Sequence, residues 1–147
     1  MATACASGGT AAGAGGAAAI GGGAGKIAFT SERDGVSEIY VINSDGSNLI
    51  SLTNDITPKI EPAWSPDGKQ IAFGSSNDDS ASLYIMNSDG SNPTKLIDTK
   101  RLSTYYSQAA AASGFGIGSP VWSPDGKKIL YTLASESSDL VLVENFR

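Results

Sequence analysis

Two stretches of this chain nearly repeat one another 44 positions apart: Ile39-Tyr40-Val41-Ile42-Asn43-Ser44-Asp45-Gly46-Ser47-Asn48 and Leu83-Tyr84-Ile85-Met86-Asn87-Ser88-Asp89-Gly90-Ser91-Asn92. The same offset lays Ile27-Ala28-Phe29 on Ile71-Ala72-Phe73, and a third copy stands at Ile129-Leu130-Tyr131 after a further 58 residues. The longer second spacing reflects an insertion between the Asp89-Gly90 turn and Trp122, where Thr104-Tyr105-Tyr106-Ser107-Gln108-Ala109 through Gly118 has no counterpart in the earlier copy. Pro62-Ala63-Trp64-Ser65-Pro66-Asp67-Gly68-Lys69 matches Pro120-Val121-Trp122-Ser123-Pro124-Asp125-Gly126-Lys127 at every position but one. A chain that repeats itself this closely must be an array of one structural unit.

Within each unit, short runs of Ile, Val, Phe and Tyr alternate with turn clusters, the pattern of successive antiparallel strands. The complete middle unit predicts four: Pro62–Ser65, Gln70–Gly74, Ser82–Asn87 and Thr94–Asp98. Ser-Pro-Asp-Gly joins the first two, because proline presets φ, aspartate bonds its own backbone and glycine accepts a positive φ. Asn-Ser-Asp-Gly joins the last two in the same way. Arg33-Asp34-Gly35 links the second and third strands of the first unit, and Asn77-Asp78-Asp79 replaces it in the second. For Asp78 and Asp79, hydrated turn carboxylates are the better reading than a calcium site. A period of about 40–50 residues holding four strands is the mark of a propeller blade.

At Pro-x-Trp-Ser-Pro-Asp-Gly-Lys, followed by Ile-Ala-Phe and Tyr-Ile-x-Asn-x-Asp-Gly, the chain resembles the TolB-type, WD-like β-propeller repeat over residues 26–98 and 119–146. The resemblance implies blades of four antiparallel strands, an innermost strand lining a central channel, and Trp64 and Trp122 packing between neighbouring blades. It implies a fold and a style of binding but no reaction, since one fold carries many functions.

The repeat can be followed toward both ends. Residues 1–25 are almost entirely Ala and Gly, which reads either as a flexible tail or as a continuation of the register. In the second reading Ile20 takes the tryptophan position and the first blade has its innermost strand near residues 17–20. At the other end Val141-Leu142-Val143-Glu144-Asn145 falls on Ile39-Tyr40-Val41-Ile42-Asn43, so the third blade is expected to lack its outer strand. The expected division is an N-terminal segment over 1–16, blades over 17–53 and 61–98, an insertion loop over 99–118, and an incomplete blade over 119–147. Leu140, Val141, Leu142 and Val143 form an uncharged edge of the kind that attracts another strand. Cys5, Ala6 and Ser7 lie where an outermost strand is expected and are candidates to supply it. About three blades do not close a ring, since propellers typically have four to eight. Two chains could pair into a six-bladed ring, strands could exchange head to tail without closing, or the chain could be part of a longer propeller.

Composition narrows the chemistry. The net charge of −5 and pI near 4.5 disfavour a phosphate-binding surface, so nucleic acid is not an expected partner. No apolar run approaches the roughly 20 residues of a membrane span. With no histidine and one cysteine, Ser-His-Asp and Cys-His catalysis and the usual zinc sites are excluded. The carboxylate pairs Glu32/Asp34, Asp78/Asp79 and Glu136/Asp139 sit at predicted hairpins, where solvated turn residues are the simpler account. Gly13-Ala14-Gly15-Gly16-Ala17-Ala18 has no strand before it or helix after it to hold a dinucleotide. Gly114-Phe115-Gly116-Ile117-Gly118 lacks the Lys-Ser/Thr of a phosphate loop. Tyr105, Tyr106 and Phe115 read either as folded back over a blade edge or as a partner-binding loop.

The sequence therefore predicts an all-β, non-catalytic protein without cofactor or metal, built of about three propeller-type blades in an incomplete ring. Its first functional reading is a self-assembling scaffold, extracellular or periplasmic, whose subunits join by strand complementation into a filament or closed ring. The alternative is a protein- or peptide-binding module of a TolB-like six-bladed propeller. A third class, the propeller part of a peptidase, would put the chemistry in a domain outside these residues.

Overall fold

The computed structural model describes residues 18–21, 25–77, 80–98, 119–133, 139–144 and 146. Its regular elements are strands: β1 (Ala18–Gly21), β2 (Lys26–Ser31), β3 (Glu38–Asn43), β4 (Ile50–Ser51), β5 (Lys59–Trp64), β6 (Gln70–Asn77), β7 (Ser80–Asn87), β8 (Thr94–Asp98), β9 (Val121–Trp122), β10 (Lys128–Leu133) and β11 (Asp139–Glu144). They form three antiparallel sheets in the orders β1-β2-β3-β4, β5-β6-β7-β8 and β9-β10-β11.

Between the first two strands of each sheet the repeat in sequence is a repeat in register, while β10 and β11 pair one residue out of it, with Val143 rather than Glu144 opposite Ile129. Ile20 pairs with Ile27, Trp64 with Ile71, and Trp122 with Ile129. Ile20 thus stands in the pairing position that tryptophan holds in the other two sheets, and an Ala/Gly-rich segment supplies the first strand. The strands of the middle sheet run longer than the sequence pattern suggests, because β6 and β7 stay paired out to Asn77 and Ser80. β5 begins three residues before Pro62 and passes through an irregularity between Ile60 and Ala63, where Glu61 takes a left-handed φ of 52°.

The turns are built from the side chains that announced them. In Ser65-Pro66-Asp67-Gly68, the Gly68 amide donates to the Ser65 carbonyl at 2.9 Å, and the Ser65 hydroxyl donates to Asp67 at 2.7 Å while accepting from the Gln70 amide at 2.9 Å. Ser123, Asp125, Gly126 and Lys128 repeat these bonds at 2.6–2.9 Å. Gly68 and Gly126 share a φ of 68°, which a side chain would strain. In the other turn type, Asp45 and Asp89 accept from the amide and hydroxyl of Ser47 and Ser91. Those hydroxyl bonds, more than the amide bonds, hold both aspartates below the usual carboxylate range.

Strand alternation divides the core into two layers. Ile71 and Phe73 of β6 and Met86 of β7 face the first sheet, where they join Trp64, Ala28, Ile39 and Val41. Ala72 of β6 and Ala81, Leu83 and Ile85 of β7 face the third sheet and meet Trp122, Ile129 and Tyr131. The middle sheet is therefore buried on both faces, which explains the nearly continuous apolar run of Ser82–Asn87. The outer sheets bury mainly the face turned to the middle sheet, although Tyr40, on the far face of the first, is also buried, with Arg33 over its ring. That difference between a filled and an unfilled face places the candidate sites.

Candidate functional site

Two features stand apart from the repeat: a polar cleft between the first and second sheets, and the apolar outer face of the third.

The cleft forms where the chain leaves β4 for β5. Three charged groups shape this crossing. Glu38, only 4% exposed at the start of β3, accepts hydrogen bonds from the Thr53 hydroxyl and, at 2.7 Å, from the Asp55 amide. Thr53 in turn accepts from the Ile39 amide at 2.9 Å. Lys59, 5% exposed at the start of β5, donates to Asp55 at 2.5 Å and to the Thr57 carbonyl. Its backbone amide donates to the Ser37 carbonyl at 2.7 Å. Burying two charges requires such partners, because an unpaired ion in the interior costs several kcal/mol. Partial burial would push the Asp55 carboxyl up, but Lys59 and the Thr57 amide outweigh it and hold the pKa below the ordinary value.

Beside this strap lies a cavity of about 390 Å³, walled by Thr53, Lys59, Ser75, Ser82, Tyr84 and Lys95. Phe73 and Tyr84 stack at 5.4 Å between ring centroids, and Lys95 sits over the Tyr84 ring at 5.5 Å. The first sheet carries a parallel arrangement, with Phe29 stacked on Tyr40 at 5.9 Å and Arg33 over the Tyr40 ring at 4.7 Å. There the Tyr40 hydroxyl donates to Asp34 at 2.5 Å, and this bond more than burial raises the Tyr40 pKa. Hydroxyls, the Tyr84 ring and two lysines, of which Lys59 is paired with Asp55, thus line a cavity at the small end of ligand-site volumes. Among the described residues, no group of three or more His, Cys, Asp or Glu is placed to hold a metal ion.

The third sheet presents Val121, Leu130 and Leu142 side by side across β9, β10 and β11, exposed by 59, 36 and 51%. Lys128 and Glu144 form an ion pair of 2.6 Å at the end of the same row, and Glu144 raises the lysine's pKa. Both partners are about half exposed, so the pair adds little stability.

The residues singled out from the sequence fall into three groups. Trp64 and Trp122 are buried between sheets. Leu140, Val141, Leu142 and Val143 lie in β11, which pairs with β10 on one side and with no strand on the other among the described residues. Cys5, Ala6, Ser7, Tyr105, Tyr106 and Phe115 lie outside the described residues, as do Asp78, Asp79 and Glu136. Sequence reasoning missed Glu38, Asp55 and Lys59. The available signal was a charge at the mouth of two predicted strands, at Glu38 where the sister unit has Ser82, and at Lys59 before Ile60.

Comparison with known proteins agrees with this architecture. A family model described as "TolB beta propeller domain" matches residues 3–115. A TolB homolog of Chlorobaculum tepidum is 44% identical over 43 residues, 29% of this chain and 10% of that protein. The Tol-Pal system protein TolB of Geobacter sulfurreducens is 42% identical over 46 residues, 31% of this chain and 11% of that protein. The matches thus span about a tenth of those relatives' length. Among solved structures, a TolB structure from Agrobacterium tumefaciens superimposes with a TM-score of 0.68 at 22% identity, covering 88% of this chain and 45% of that one. At such identity the likeness shows the fold.

Proposed function

Because this chain belongs to the TolB β-propeller family, we propose that it is a non-catalytic, protein- or peptide-binding module of a TolB-like propeller, acting in the periplasm or outside the cell. The observation that carries this reading is the cleft between the first two sheets, where the Tyr84 ring, Lys59, Lys95 and the serine and threonine hydroxyls converge on one cavity. An aromatic face, cations and small hydroxyls recognise the side chains, carboxylates and amides of a polypeptide. Family membership supports the same choice, since one relative is named as a protein of the Tol-Pal system. No helix among the described residues is long and apolar enough to cross a membrane. The filament-forming scaffold read from the sequence gains no support from these comparisons, and the binding module replaces it as the favoured reading.

The test is fluorescence anisotropy with labelled overlapping peptides drawn from the proteins of the Tol-Pal system. At least one peptide should bind in the micromolar range, and Tyr84→Ala or Lys95→Glu should weaken it about tenfold, equivalent to about 1.4 kcal/mol. Absence of binding across the set, or binding indifferent to both substitutions, overturns the proposal.

A further inference from the structure

The cleft between the first two sheets has a polar floor as well as an aromatic wall. Strand pairing sets Lys59 opposite Ser75 and Ser75 opposite Ser82, so β5, β6 and β7 carry one polar row across the middle sheet. All three residues border the cavity, and they are only 5, 7 and 5% exposed. Alternation along the strands puts Ser75 on the side of Ile71 and Phe73, and Ser82 on the side of Met86, the face that packs its apolar half against the first sheet. Polar groups at such depth call for hydrogen-bond partners.

Lys59 shows what kind of partner is wanted. An ammonium group has three N–H donors. One goes to Asp55 at 2.5 Å and one to the Thr57 carbonyl, which leaves the third without an acceptor among the described residues. Asp55 stands on the crossing with its side chain 54% exposed, whereas the lysine lies beneath it. Of the described residues bordering the cavity, Asp55 is the one acid and Lys59 and Lys95 are the two cations, a balance of one positive charge. Asp98, opposite Ser82 in β8, does not border the cavity, and Ser82 holds the register position that Glu38 takes in the first sheet. No acid of the middle sheet therefore competes at the row. A carbonyl would accept from these donors without answering the charge, and a phosphate would bring nearly two charges. A carboxylate brings one charge and two acceptor oxygens. The Tyr84 ring, stacked on Phe73, gives the methylenes beside it an apolar surface in the same cavity.

Resting on the reading of the cleft as a polypeptide site, we infer that the Lys59–Ser75–Ser82 row binds one carboxylate of the bound segment, from an Asp or Glu side chain or from a chain end. The remaining N–H of Lys59 and the two serine hydroxyls donate to its oxygens, while Asp55 keeps its own bond to the ammonium. The row thereby makes the cleft selective for acidic segments.

Three probes of matched shape test this on the full chain: N-acetylglutamate α-amide, with a side-chain carboxylate alone, N-acetylglutamine, with a terminal one alone, and N-acetylglutamine amide, with neither. Titrations are followed by the backbone amide NMR shifts of Ser75 and Ser82. At least one acid should bind about tenfold more tightly than the neutral amide, the effect of one charge-assisted hydrogen bond. Whichever acid does so assigns the carboxylate to a side chain or a chain end. Ser75→Ala combined with Ser82→Ala should cut that preference about fivefold, as the loss of two neutral donors would. Lys59→Met should abolish it, and the serine variant decides the matter if circular dichroism shows that Lys59→Met has unfolded. Absence of shifts with all three probes, equal affinity for them, or a preference that the serine substitutions leave intact overturns the inference. Peptides that bind in the anisotropy assay yet keep their affinity when each carboxylate is replaced by an amide overturn the row and leave the binding module standing. A carboxylate preference among the probes without binding of any peptide overturns the polypeptide reading and keeps the row as a carboxylate site.

Discussion

The interfaces at Trp64 and at Trp122 are written with the same words and finished differently. Both tryptophans pair across their sheet with an isoleucine, and both are less than a tenth exposed. The Trp122 indole N–H donates to the Ala63 carbonyl at 3.1 Å and so pins the third sheet to the first strand of the second, and Phe146 meets the ring edge-on at 5.6 Å. Trp64, by contrast, clusters with Ala28, Ile39, Val41, Ile71, Phe73 and Met86, and its buried indole nitrogen has no hydrogen-bond partner among the described residues. At the first interface the polar fastening has moved outward, to Glu38, Thr53, Asp55 and Lys59 in the crossing from β4 to β5. A repeat thus fixes which surfaces meet, while each junction chooses its own way of holding them.

The largest expected effect removes the shared component. Trp64→Ala and Trp122→Ala each delete a large buried ring, and each should cost about 3–5 kcal/mol in urea unfolding followed by circular dichroism. Equal losses would mean that volume dominates at both junctions. Next in size is the polar crossing. Glu38→Ala removes the acceptor of the Thr53 hydroxyl and the Asp55 amide in a part-buried position, and should cost about 1.5–3 kcal/mol, the range for hydrogen bonds to a charged group. Glu38→Gln, which keeps the shape and an acceptor oxygen, should recover part of that. If Glu38→Ala behaved like a surface substitution, the fastening of the first interface would lie elsewhere.

A smaller effect separates the two tryptophans directly. Trp122→Phe loses the hydrogen bond to the Ala63 carbonyl, whereas Trp64→Phe removes an N–H that has no partner among the described residues. Each also loses volume, and that part cancels in the comparison. Trp122→Phe should therefore be the costlier change by about 1–2 kcal/mol. Identical losses would show that the Ala63 bond contributes nothing net.

Much of this architecture was legible because repetition and turn chemistry are local. Ser-Pro-Asp-Gly and Asn-Ser-Asp-Gly fix each hairpin through bonds between residues two to five apart, so their presence in the sequence places the strands. The alignment of Ile20 with the tryptophans was open from composition alone, since Ala and Gly fit any pattern, yet it is the pairing that the first sheet uses. The cleft was not legible. Glu38, Asp55 and Lys59 are separated by 17 and 4 positions in the chain, and their proximity depends on how the first sheet leans on the second. The apolar row was hidden for another reason. Val121, Leu130 and Leu142 belong to three strands and look like ordinary core residues until the sheets are stacked and that face has nothing against it among the described residues.

Tyr131 offers the finest probe of the second interface. It stands where the other units have Phe29 and Phe73, it is 1% exposed, and its hydroxyl has no hydrogen-bond partner among the described residues. A buried hydroxyl without a partner costs roughly 1–3 kcal/mol. Tyr131→Phe, which restores the residue of the sister units, should therefore raise stability by about 1 kcal/mol at pH 7. Burial also pushes the Tyr131 pKa up to about 12, against about 10 in an unfolded chain. The folded protein thus holds this proton more tightly than the unfolded one, so the associated stability is intact below pH 10 and is lost as pH rises through about 12. Thermal unfolding of the parent should weaken between pH 9 and pH 11.5, and Tyr131→Phe should weaken less. Some alkaline loss should remain in the variant, because Tyr40, held chiefly by its bond to Asp34, also has a raised pKa. If the two proteins lost stability in parallel over that range, Tyr131 would be reaching water or an acceptor at the second interface, and the contrast between a junction with a paired polar group and one without would have to be redrawn around the tyrosine.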